Sequence, residues 1–188
     1  MTAMSVAERM TADEFLALSE HELRWAELVG GEVVREVPTL RHQRISAELL
    51  YALISWTRAA SERGLAVHEL MVDIGDREVY QPDLVWYAAA RVPERDDLPA
   101  YAVPDLAVEV RSPSTWRYDI GAKKAGYERR GVRELWLVDT AADEVLAFRR
   151  SATDASTFDV ALELTRGATL TLPLLPGLRV KLATVFGE

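Results

Sequence analysis

Asp105-Leu106-Ala107-Val108-Glu109-Val110-Arg111 and, further on, Glu134-Leu135-Trp136-Leu137-Val138-Asp139 are the two runs whose reading decides the fold. The first is a short, mostly apolar strand, and the core of the second, LWLV, looks buried on both faces, as strands of a parallel pair are. Between them the turn Ser112-Pro113-Ser114 opens a helix that runs to about Arg130 and stops at Gly131. A helix between two buried strands is the signature of a parallel crossover.

Upstream, Thr11 with Asp13 and Glu14 starts a short helix anchored by Phe15, Leu16 and Leu18. Trp25 to Val29 and Glu32 to Val37 read as an N-terminal hairpin turned by Gly30-Gly31. Apolar residues at Ile45, Leu49, Leu53 and Trp56 predict a long helix from about Arg41 to Arg63, ended by Gly64. Val67 to Ile74 and Val79 to Tyr87 read as one antiparallel pair around Gly75-Asp76. Arg91 to Pro104 is a proline-bearing loop, and strands near Val145–Arg149, Phe158–Leu164 and Thr169–Leu172 complete the sheet. The fold class is therefore α/β of the mixed α+β kind, a central mixed β-sheet flanked by helices, with extra strands at the C-terminal end. A chain of 188 residues fits a single domain over 1–188, with its core at about 10–182.

The composition excludes several functions. With no cysteine, the chain has no disulfides, no Cys-ligated zinc, no iron–sulfur cluster and no cysteine nucleophile. Met1 to Met10 has no signal-like apolar core and no run approaches a membrane span, so a cytoplasmic address without membrane association is expected. No phosphate-binding glycine loop, HExxH or GxSxG motif occurs, and the three histidines are scattered. The net charge of -8 disfavours a protein that coats nucleic acid by bulk attraction.

Two carboxylates stand out. Glu109 lies inside an apolar strand, on one face with Ala107 and Arg111, where an acid is more often paired or ligated than idle; that face reads as a surface lined with polar groups. Asp83 follows Gln81-Pro82 on a neighbouring strand, where the plain alternative is a turn residue after proline. Two such carboxylates, a backbone carbonyl and waters are what Mg²⁺ asks for. Asp119, Lys123 and Tyr127 recur at every fourth position of the helix that follows Glu109, which lets Lys123 reach back to the acids. The plain alternatives are an exposed Asp–Lys pair and a packing tyrosine.

Pro82-Asp83, then Glu109-Val110-Arg111, then Lys123 resembles the PD-(D/E)XK restriction-endonuclease-like superfamily. More narrowly, Glu27-Leu28-Val29-Gly30-Gly31-Glu32, Gln81-Pro82-Asp83-Leu84-Val85, Val108-Glu109-Val110 with Ser112-Pro113-Ser114-Thr115, and Gly131-Val132 to Trp136-Leu137-Val138-Asp139 are together similar to its bacterial Uma-type branch. The resemblance implies a restriction-endonuclease-like core and a metal-dependent phosphodiesterase. Mg²⁺, with Mn²⁺ as a substitute, would be held by Asp83, Glu109 and the Val110 carbonyl, with Glu27 completing the shell. The superfamily lysine two residues after the Glu is here Arg111, always charged and so unable to act as a base; the role passes to Lys123, which would orient the attacking water. Arg111, Asp119, Tyr127 and Gln81 would support the site, as would His42, at a position where the branch often has histidine.

The expected activity is an endonuclease acting on DNA in preference to RNA, from a homodimer. Left open are a non-catalytic, dimeric nuclease-fold binding or regulatory protein and a phosphoesterase for RNA or a small phosphate ester. Residues 111–133 carry 7 basic and 2 acidic side chains in an otherwise acidic chain, which places local attraction for phosphate beside the site.

Overall fold

The computed structural model describes residues 9–187. Residues 1–8 and 188, which include most of the Met1 to Met10 stretch and the ends of the expected 1–188 domain, lie outside the described residues. Thr11 caps α1 (Ala12–Leu16) and Ser19 caps α2 (Glu20–Leu23), each through a reciprocal box with a glutamate three residues on. The expected hairpin follows as β1 (Ala26–Val29) and β2 (Glu32–Arg35), turned by Gly30 and Gly31 at φ +58° and +83°.

The long helix α3 (Leu40–Arg58) ends sooner than Gly64 suggests. Its Trp56 carbonyl is taken by the Ala59 N–H and by the Arg63 guanidinium, which closes the last turn, and Glu62 enters the left-handed region at φ +66°. Gly64 serves the next strand instead: a Cβ there would lie 1.9 Å from the Tyr87 carbonyl oxygen.

The expected pair Val67–Ile74 and Val79–Tyr87 divides between two sheets. Its tip is β4 (Val72–Gly75) against β5 (Glu78–Tyr80), and its base is β3 (Leu65–His68) against β6 (Leu84–Tyr87). The break falls at Glu69, with φ +50°, and at Gln81-Pro82-Asp83, where proline removes a ladder donor. β7 (Leu106–Val110) and β8 (Glu134–Asp139) pair in parallel, as the crossover predicts, and β9 (Glu144–Arg149) and β10 (Val160–Thr165) extend the sheet. The crossover is α4 (Trp116–Tyr118), a π-helical turn (Asp119–Lys123) and α5 (Lys124–Arg129) in succession.

The large sheet has the order β10-β9-β8-β7-β6-β3 and the small one β2-β1-β5-β4. The segment at Thr169 does not join the large sheet: β11 (Thr169–Leu170) pairs with β12 (Val180–Lys181), next to α6 (Leu182–Phe186). Leu106, Val108 and Val110 turn to one face of the large sheet and pack with Ile45, Leu49 and Leu53 of α3 and with α6. Ala107, Leu135 and Leu137 turn to the other, against Val29, Val34, Ile74 and Tyr80 of the small-sheet side and Tyr127 of α5. The period-two reading of β7 therefore holds, but the face that carries Glu109 is a layer between two sheets and not a polar surface: Glu109 is 2% exposed.

Candidate active site

The polar side chains reach this interlayer from several elements. Glu27 sits on β1, on the face of Val29, while Ala26 and Leu28 turn the other way to Phe15. Glu109 projects from β7, and Asp83 stands at the entry to β6, its neighbour. The helix that carries Lys123 can come down onto the layer because residue 126 is glycine: a Cβ there would lie 2.4 Å from the Tyr80 hydroxyl. The π-helical turn over Asp119–Lys123 widens the helix where it faces the carboxylates, and such turns are frequent at functional sites.

Lys123 is the centre, and it is buried. Its Nζ lies 2.8 and 2.9 Å from the two oxygens of Glu27, 2.9 Å from Glu109 Oε1 and 3.2 Å from Asp119 Oδ1. Tyr127 donates to the same Glu109 Oε1 at 2.5 Å, and Glu27 Oε1 also accepts from the Gln81 N–H at 2.5 Å. Asp83 is fixed at both oxygens. Oδ2 accepts from the Val110 N–H at 2.6 Å, and Oδ1 lies 3.0 Å from His42 Nε2, which is also 3.1 Å from Glu36 Oε1. His42 Nε2 is within reach of both oxygens and makes a well-aligned hydrogen bond to neither.

Five carboxylates, Glu27, Glu36, Asp83, Glu109 and Asp119, thus face two cations, Lys123 and His42. Burial is the first cause of every shift that follows. It pushes Glu109 well above the usual carboxylate range, which Lys123 opposes and Asp119, Glu27 and Asp83 reinforce. Asp83 is raised by burial against the pull of His42. Asp119 is pushed up to about 7, with Lys123 opposing. Burial alone would lower Lys123 and His42, but their carboxylate partners prevail and raise both, His42 to about 10. Lys123 is therefore a fixed ammonium and not a neutral base.

Of the residues singled out from sequence, the structure brings together Glu27, Asp83, Glu109, Asp119, Lys123, Tyr127 and His42. Gln81 contributes its backbone N–H, while its amide turns to the Glu69 carbonyl. Tyr127 supports the cluster by holding Glu109. Arg111 stays apart: it pairs with Asp139 at 2.7 Å and lies 5.5 Å from the Trp116 ring centroid. The basic stretch is mostly neutralised by such pairs, Arg111 to Asp139, Arg129 to Glu78 and Arg133 to Asp105, besides Lys123 itself. Glu36 was missed, because an acid at the end of a hairpin strand carries no signal until α3 brings His42 beside it.

The family described as Uma2, "Putative restriction endonuclease", matches residues 12–184. The chain belongs to this family. Among solved structures it is similar to a protein from Anabaena variabilis ATCC 29413 described as a putative nuclease belonging to DUF820. The TM-score is 0.79 at 21% identity, over 94% of this chain and 97% of that one, which establishes the Uma2 member's fold as nuclease-like. No curated protein matches the chain. Among the described residues of this Uma2 protein, no helix is long and apolar enough to cross a membrane.

Proposed function

We propose that the protein is a Mg²⁺-dependent endonuclease that hydrolyses phosphodiester bonds of DNA, with Asp83 and Glu109 as metal ligands and Lys123 as their charged partner. The observation that carries this reading is the Lys123 ammonium 2.9 Å from Glu109, on the strand next to Asp83, in a member of a restriction-endonuclease-type family. The donor set fits a hard divalent cation in kind: it is all carboxylate oxygen, and five acids face only two cations, so a divalent ion would relieve the burial cost that raises Glu109 and Asp83. Among the described residues no three acids or histidines already converge on one metal position, so side chains must turn towards the ion.

When bound, Mg²⁺ would polarise the phosphate and supply a water acidified for attack. The chain's own residues would do the rest. The Val110 N–H and His42 fix Asp83; Tyr127 and Lys123 fix Glu109; Glu27 is the further carboxylate within reach. Lys123 offsets charge on the phosphoryl oxygens, and it orients the attacking water once it exchanges one carboxylate partner for that water.

The test incubates purified protein with supercoiled plasmid, single-stranded DNA and RNA in Mg²⁺ or Mn²⁺, beside Asp83→Ala. Metal-dependent nicking of DNA that Asp83→Ala abolishes is the expected result; nicking that survives Asp83→Ala removes the site. A second reading, a non-catalytic binding module, draws on the fact that Lys123, Asp83 and Glu109 are all engaged within the protein. Nucleic-acid binding with no cleavage under any of these conditions would favour it.

A further inference from the structure

Trp25 stands at the rim of the carboxylate cleft and has no part in the chemistry above. Its φ of +55° lies in the left-handed region that favours glycine and asparagine and that bulky residues rarely enter. The hairpin explains the backbone, since the Trp25 carbonyl accepts from the Glu36 N–H at 3.0 Å. It does not explain the side chain, because glycine would meet the same backbone demand without strain. Nor is the indole committed to the core: it is 45% exposed, whereas Trp86 and Trp136 are buried.

The rim of this acidic cleft offers a base an aromatic face, and two arginines stand beside it. Trp25 lines one cleft with Glu27, Glu36, His42, Gln81 and Asp83. That cleft, about 30 Å³, has room for little more than a water, so a nucleobase must rest outside it, on the rim. The Arg24 guanidinium lies over the Trp25 ring, 4.6 Å from its centroid. Arg35 donates to the carbonyls of Glu22 and Arg24 and pairs with no carboxylate among the described residues. An aromatic face flanked by cations is how proteins hold single strands, and a base inside a duplex has no free face to offer it.

We propose that Trp25, backed by Arg24, is a stacking platform for an unpaired base, and that the substrate is DNA with a single-stranded or frayed segment at the cleavage point. This rests on the nuclease reading, which supplies the nucleic acid.

The test measures binding by fluorescence anisotropy in EDTA, so that no cleavage intervenes, with a labelled single strand of DNA, the same strand with abasic positions, the RNA equivalent and a blunt duplex. Wild type should bind the intact DNA strand about ten- to a hundredfold tighter than the abasic one. Trp25→Ala should erase that difference, Trp25→Phe should keep most of it, and duplex affinity should not change. Equal wild-type affinity for intact and abasic strands overturns the proposal without depending on any variant's folding. So does a Trp25→Ala protein that keeps the preference, and tighter base-dependent binding of RNA overturns the DNA assignment. Base-dependent binding without nicking in Mg²⁺ or Mn²⁺ supports the platform and removes the nuclease, and nicking without base dependence does the reverse.

Discussion

Buried acids occupy both ends of the parallel pair β7 and β8, and the two ends treat them differently. At the N-terminal end every acid is matched. Asp105 accepts from the Ala88 N–H at 2.8 Å and from Arg91 at 2.7 Å, and Glu134 accepts from the Trp136 indole at 2.7 Å and from Arg149 at 3.1 Å. At the C-terminal end Arg111 matches Asp139, but five acids of the interlayer share only Lys123 and His42. A matched buried acid holds a fold together. A surplus is held at the cost of raised carboxyl pKa values, a cost that a cation would relieve, and the proposed site lies at this second end.

The contrast can be broken most sharply at Lys123. Lys123→Met strands the interlayer acids, and urea unfolding should show a loss of about 3–5 kcal/mol, as when one partner of a buried ion pair is removed. A loss below about 1 kcal/mol would mean that the acids are already largely neutral and that the surplus is nominal.

Next come the acids themselves. Asp83→Asn and Glu109→Gln should lower plasmid nicking at least about a hundredfold while unfolding free energy holds or rises, because burial already opposes the charge at both positions and each amide keeps the carboxyl's shape. Asp105→Asn at the matched end should do the opposite. It should cost about 1–3 kcal/mol of stability and leave nicking of the folded protein unchanged.

Smaller effects should follow pH. The Asp119 carboxyl, raised by burial from 3.8 to about 7, keeps a proton in the folded chain that the unfolded chain has already released. Metal-free protein should therefore lose thermal stability as pH rises from about 4 to about 7, and Asp119→Asn should flatten that slope. For His42, burial is outweighed by Asp83 and Glu36, and its pKa rises from 6.5 to about 10. Its contribution is full below pH 6.5 and is lost towards pH 10, so His42→Asn should flatten the melting curve in that window alone.

The parallel crossover, the Gly30-Gly31 hairpin and the alternation along β7 were legible because each is written in local chemistry: a two-residue period, a turn dipeptide, a helix between buried runs. The division of the strand pair at Glu69 and Gln81-Pro82 was not, although the proline was visible, because pairing partners depend on where the small sheet docks. Glu27, Asp119 and Lys123 were legible as residues, and so was the reach of Lys123 to Asp119 and Glu109, but its meeting with Glu27 was not. That needed β1 folded onto the layer and the π-helical turn, neither of which leaves a local signature.

The strand pair that crosses from one sheet to the other has a consequence for how the site comes into being. Glu27 arrives with the small sheet, Glu109 with the large one, and Lys123 with the crossover helix. A chain with only one sheet assembled lacks part of the cluster, so docking of the two layers is the licensing step. On the proposed function, a newly made or partly unfolded copy would be harmless to nucleic acid around it, and cleavage would require complete assembly.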